Sequence, residues 1–173
     1  MRKSGFFRGF GYAARGVLRA VREERNLRFH LVAAAFVLYF SHFYPFVRAE
    51  RLLLVVLICG VIALELVNSS IERAVARPGP EHFFIAGTVK DMAAGAVLVF
   101  SIGAAVCGVW LFWDAAVLRQ IGAYFTAAWY RIPVLALFAA AGYSFVFLYQ
   151  KGARNFDLTD RDEITFHGDH RTP

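Results

Sequence analysis

The sequence predicts an all-α integral membrane protein, with an N-terminal interfacial amphipathic helix followed by four membrane-spanning helices. Three observations lead there. Of 173 residues, 58% are hydrophobic and 18% charged, with a mean hydropathy of +0.50; a soluble domain of this length would lack the polar surface to stay in water. Apolar runs occupy residues 30–47, 52–75, 92–113 and 132–149, each near the ~20 residues that cross a ~30 Å hydrocarbon core. The charge is also lopsided. Net charge is +6, and residues 1–28, with eight Lys/Arg against Glu23 and Glu24, already supply all of it.

The first element is GFFRGFGYAARGVLRAVREERN, residues 5–26. Phe6, Phe10, Ala13, Val17 and Val21 recur at helical spacing on one face, and Arg8, Arg15, Arg19 and Arg22 on another. An apolar face with no soluble core to join, opposite a basic face, describes a helix lying in the headgroup region. Placed before an apolar run, the basic block points to anionic lipid rather than nucleic acid. It is not read as a cleavable signal, because further runs follow and no small-residue pattern closes the first.

Within the hydrocarbon, backbone groups must pair internally, so the four runs are assigned as helices. The first is short and interrupted by His42 and Pro45. The positive-inside bias places the N-terminus in the cytoplasm. Loop 41–51 is then external, loop 76–90 internal, segment 114–131 external and tail 151–173 cytoplasmic. Trp110, Trp113, Tyr124, Trp129 and Tyr130 gather at the external boundary as an interfacial belt. The tail carries HGDH at 167–170, for which a solvated polar segment is a plainer reading than a metal site. Cys59 and Cys107 lie in apolar runs without metal-like spacing and read as small core residues.

One stretch does not fit an inert span. ALELVNSSIERAV, residues 63–75, sets Glu65, Asn68 and Glu72 within and just beyond the second run. Glu65 lies about 20 Å along a helix from Leu52, so in a ~30 Å core it stops roughly 10 Å short of the cytoplasmic boundary. Spacings of three and four put all three on one stripe. A matching feature opens the third run: in TVKDMAAGAVLVF, residues 88–100, Lys90 and Asp91 stand at the same boundary, and Ala93 to Ala96 let another helix or a headgroup approach closely. Glu23 and Glu24 end the surface helix at that level.

A threshold lysine or aspartate is ordinarily a helix-end anchor. Glu23 reads as solvated, and Glu72 as a surface partner of Arg73 or Arg77. Glu65 resists such a reading, because the thirteen residues before it, from Leu52, carry no charge and no cation adjoins it. Carboxylates at a membrane edge can hold Mg²⁺, a lysine can neutralise phosphate, and a deeper carboxylate can take the proton of a lipid hydroxyl. Positioning and electrostatics are most of what phosphoryl transfer demands. The pattern suits a lipid kinase, and an ion-coupled transporter stays open on composition alone.

EERNLRFH (23–30), ELVNSSIE (65–72) and VKDMAAGAV (89–97), in this order, resemble the small prokaryotic integral-membrane diacylglycerol kinase and undecaprenol kinase family, across roughly residues 5–113. The resemblance implies Glu65 as general base, with Asn68 orienting it and the transferring phosphate. It implies Glu24 and Glu72 as ligands of the Mg²⁺ carried with ATP, and Lys90 and Asp91 at the nucleotide phosphates. Tyr12 and Glu81 match nucleotide-contacting positions, and Ala94 the lipid headgroup site. It further implies a bacterial inner-membrane homotrimer with active sites shared between subunits. Residues 1–113 then form the surface helix and three-span kinase core, 114–150 an external interfacial segment and a fourth span, and 151–173 a polar tail.

The chain departs from the family at Ala76, where an acidic residue is common, and at the loop RPGPEHF, which is stiffer and orders Glu81, His82 and Phe83 differently. No P-loop is present. ERNLRFH leans toward the undecaprenol branch and NSSIE toward the diacylglycerol branch. The competing readings are a small proton- or cation-coupled transporter using Glu65, which lacks an evident internal duplication, and an inactive kinase-like scaffold, against which the intact Glu24, Glu65, Asn68, Glu72, Lys90 and Asp91 argue.

Overall fold

The computed structural model describes residues 5–76 and 83–149, so Glu81, the Pro-Gly-Pro stretch and the tail with its HGDH sequence lie outside the described residues. The described residues form α1 (Gly5–Glu23), α2 (Arg25–Ser41), α3 (Arg48–Ala74), α4 (Phe83–Phe112), α5 (Ala115–Thr126) and α6 (Arg131–Phe147). The all-α expectation therefore holds. Helices α3 and α4 are each long and apolar enough to cross a membrane. α5 and α6 meet at a bend of 102° and would count as another crossing if taken together. α2 and α6 have 17 residues each, about 25 Å of helix and at the short end of what spans a bilayer.

The first apolar run is not one helix. α2 starts five residues before it, at Arg25, and stops at Ser41, because Pro45 has no N–H to give and disfavours helix in the residue before it. The chain leaves the helix with its last turn satisfied locally: Ser41 Oγ donates to the Leu38 carbonyl at 2.7 Å, and His42 Nδ1 sits 2.7 Å from the same oxygen. α3 then begins with the Glu50 carboxylate accepting from the Val47 N–H at 2.8 Å.

Helices α3 and α4 make the most extensive pair. Gly60 lets the Phe100 ring pack against the α3 backbone, since a Cβ there would overlap that ring. At one end of this pair, Tyr44, Phe46, Leu54 and Val117 form a buried cluster, with Phe112 and Ile121 packed on it. The Tyr44 hydroxyl donates to the Phe112 carbonyl at 2.7 Å, which pins loop 42–47 to the end of α4. Asp114 caps α5, accepting from the amides of Ala116 and Val117. α6 runs back along α2, where Gly142 admits Val32. Much of α4 is bare within one chain, Val99 and Trp110 at 72% and 85% exposure among them. That is the surface expected of a helix facing lipid or other chains.

Candidate functional site

Helix α3 gathers polar groups where a membrane helix would ordinarily have none. Glu65, Asn68 and Ser69 are 3%, 7% and 4% exposed, on the face turned to α1 and the start of α2. The i, i+3, i+7 spacing of Glu65, Asn68 and Glu72 sets them on one stripe. Asn68 Nδ2 donates to Glu72 Oε1 at 2.8 Å. The Asn26 side chain, from the first turn of α2, and the carboxylates of Glu24 and Glu72 all act on the Glu65 carboxyl.

The second half of the site is the break between α1 and α2. Glu24 occupies the N-cap of α2 in extended conformation, yet its side chain makes no capping hydrogen bond. Its Oε1 lies instead 2.7 Å from Arg73 Nη2, while Arg73 Nη1 holds Glu23 Oε2 at 2.9 Å. Arg19 approaches Glu23 one turn earlier, at 3.7 Å. Arg73 thus ties the end of α3 to the α1–α2 junction, rather than pairing with adjacent Glu72 as spacing alone suggests. These pairs are partly exposed, so each is worth about 1 kcal/mol or less. Their importance is in fixing where Glu24 stands.

Four carboxylates, two carboxamides and a guanidinium therefore meet at one corner of α1, α2 and α3. The deep member, Glu65, is enclosed, and Glu72 and Glu24 face outward. One acceptor is left over: Asn68 Oδ1 is buried and has no hydrogen-bond partner among the described residues. Buried acceptors without partners are uncommon in native proteins, and each calls for an explanation.

The donor set suits Mg²⁺. All its atoms are oxygens, and Mg²⁺ is usually held by one or two carboxylates plus substrate phosphates rather than by a full protein cage. Among the described residues, no group of three or more such side chains stands close enough to hold a metal by itself. Glu24 and Glu72 each have one oxygen engaged, by Arg73 and Asn68 respectively, which leaves the other for a cation.

The remaining expected residues are not joined to this corner within one chain. Lys90 is half-buried and Asp91 and Ala94 are exposed on α4; no hydrogen bond or ion pair links them to the corner among the described residues. Tyr12 is 67% exposed, about 18 Å along the helix from Glu24, with the Arg15 guanidinium 4.8 Å over its ring. Conversely, the sequence reading assigned no role to Asn26 or Arg28, and to Arg73 only a pairing with Glu72. The signal for Asn26 was its place two residues after Glu24 in ERN. For Arg73 there was none beyond charge, because its partners lie 49 and 50 residues away.

The sequence model of the family described as prokaryotic diacylglycerol kinase matches residues 11–112. An undecaprenol kinase of Bacillus subtilis (strain 168) is 37% identical over 107 residues, 62% of this chain and 87% of that protein. A diacylglycerol kinase of Escherichia coli (strain K12) is 31% identical over 104 residues, 60% of this chain and 85% of that protein. A diacylglycerol kinase of Haemophilus influenzae is 28% identical over 102 residues, 59% of this chain and 82% of that protein. No solved structure matches the chain. α5 and α6 lie beyond the residues that the family model matches.

Proposed function

The chain belongs to the prokaryotic diacylglycerol kinase family, and from that premise we propose that it is an ATP- and Mg²⁺-dependent lipid kinase with Glu65 as its general base. The observation that carries the reading is the enclosed Glu65, on which Asn26 and the outward-facing carboxylates of Glu24 and Glu72 all act. One end of the corner addresses a membrane lipid and the other an aqueous nucleotide.

In the reaction, the lipid hydroxyl oxygen attacks the γ-phosphorus, the bond to the β–γ bridging oxygen breaks, and ADP leaves. Glu65 takes the hydroxyl proton. Asn26 steadies the Glu65 carboxyl, and Asn68, whose amide donates to Glu72, orients Glu65 and the transferring phosphate. Glu24 and Glu72 would hold the Mg²⁺, which when bound neutralises phosphate charge. Lys90 and Asp91 stand to the nucleotide phosphates, with Tyr12 and Glu81 at the nucleotide and Ala94 at the lipid headgroup. The chain works in the bacterial inner membrane with a cytoplasmic N-terminus, as a homotrimer in which α4 of one subunit completes the corner of another.

Undecaprenol is the preferred acceptor on this reading, supported by the ERNLRFH stretch and by the 37% identity to the undecaprenol kinase against 31% to a diacylglycerol kinase. Wild-type protein in detergent micelles, given γ-labelled Mg·ATP and either undecaprenol or diacylglycerol, tests it. Labelled lipid phosphate is expected from both, faster from undecaprenol. No labelled lipid from either acceptor, with folded and oligomeric protein, overturns the kinase reading.

A further inference from the structure

The α1–α2 junction has a second attachment, on the side away from α3. Arg28 is fully enclosed, at 0% exposure. A guanidinium keeps its charge in proteins, and burying it is costly unless every N–H finds an acceptor. No hydrogen bond or ion pair joins it to a carboxylate among the described residues. Backbone carbonyls satisfy it instead. Nη1 donates to Val21 O at 3.1 Å and Arg22 O at 2.9 Å, while Nε and Nη2 donate to Val146 O at 3.4 and 3.2 Å.

These acceptors share a character. Val21 and Arg22 lie in the last turn of α1, and Val146 in the last turn of α6, where carbonyls lack partners within their own helix and the dipole favours a cation. One side chain on α2 therefore caps two helices whose acceptors lie on opposite sides of the sequence. Two cation–ring contacts accompany it: Arg28 stands 6.0 Å from the Tyr149 ring and Arg25 5.8 Å from that of Phe147. Arg28 is one turn beyond Glu24 and two residues beyond Asn26, on the segment that carries both.

We propose that α6, the helix outside the family match, is a positioning element for the site: it docks on Arg28 and so holds Glu24 and Asn26 where they meet α3. This rests on the functional reading above. The docking is localised rather than spread along the helix. A cleft of about 550 Å³, lined in part by Phe36, Tyr39, Phe125 and Phe138, opens between α2 and α6. α6 is held at its C-terminal end by Arg28 and, one turn earlier, by the fit of Gly142 on Val32. At its other end Phe125 of the preceding α5 packs on Phe40. A larger residue at 142 lifts the C-terminal end without touching the site.

The full chain carrying Gly142→Leu, Arg28→Lys, or both is compared with wild type and with Ala140→Leu, which places the same side chain on the exposed face of α6. Two quantities are read: the Mg²⁺ concentration giving half-maximal phosphate transfer, and exchange of the backbone amides of residues 22–28 without nucleotide. Gly142→Leu and Arg28→Lys should each raise the half-maximal Mg²⁺ by about ten-fold, the scale seen when supports of metal ligands are removed. The double variant should be no worse than the worse single, because both break one link. Ala140→Leu should match wild type. Amides 22–28 should exchange faster in Gly142→Leu. Activity falling only in proportion to folded protein, at unchanged Mg²⁺ requirement, overturns the proposal, as does unchanged exchange. If wild type transfers no phosphate but Gly142→Leu still speeds exchange at 22–28, the kinase reading fails and the α6–junction link stands.

Discussion

A carboxylate and a carboxamide three residues apart, 3% and 7% exposed, need partners if they are to stay on an apolar helix. Glu65 has Asn26; Asn68 gives its amide to Glu72 and leaves its Oδ1 unpaired. An unpaired buried acceptor costs about 1–3 kcal/mol, so Asn68 stands at the expense of stability. Asn68→Leu should therefore leave the chain as stable as wild type or more so, while phosphate transfer falls about 100-fold. Unfolding in micelles and a transfer assay on the same preparation check this. A destabilised but active variant would show that Asn68 serves packing instead. At this scale the sequence was legible wherever periodicity governs: the stripe of Glu65, Asn68 and Glu72 follows from helical spacing. It was illegible wherever partners come from distant elements. Arg73 sits next to Glu72 in sequence and binds Glu23 and Glu24, and Arg28 spends its donors on carbonyls that no side-chain pattern announces.

Among elements, α3 and α4 were legible as long uniform apolar runs. The end of α2 was legible too, because His42 and Pro45 interrupt the first run; its start was not, because the stretch from Arg25 to Phe29 precedes that run and carries charge. α5 was read only as an interfacial segment, although Asp114 before Ala115 is an N-cap signal and the structure uses it as one. The cap built by loop 42–47, α4 and α5 yields a prediction. Burial raises the Tyr44 hydroxyl above its usual pKa, and the nearby Asp114 charge adds to the effect. The folded state thus favours neutral tyrosine. Its contribution is fully present below about pH 10, the unfolded value, and is lost as pH rises through the higher folded value. Tyr44→Phe, lacking the 2.7 Å bond to Phe112 O, should be less stable by about 1 kcal/mol at neutral pH. The gap should close in alkali. Unfolding midpoints of the two proteins from neutral to strongly alkaline pH test this, and parallel profiles would contradict it.

The whole molecule, as a single chain, is incomplete in two ways that match. Its α4 presents a long bare apolar face, and the same helix carries Lys90 and Asp91 without joining them to the corner of α1, α2 and α3. Both features follow if α4 packs on a neighbouring subunit and delivers its charges there, as the proposed trimer requires. Helical spacing fixes the residues' depth in the membrane and says nothing of which chain supplies each side; only the family resemblance implied a site shared between subunits. The most direct measurement takes Glu65→Gln and Lys90→Ala, assays phosphate transfer by each alone, and then assays the two co-assembled in equal amounts. Each alone should retain less than about 1% of wild-type transfer, the loss expected for a missing general base or phosphate clamp. The mixture should recover about a quarter, because a cyclic interface joins the two intact halves one time in four. Near-normal transfer by Glu65→Gln alone, or no recovery in assemblies shown to contain both chains, would contradict a shared site centred on Glu65.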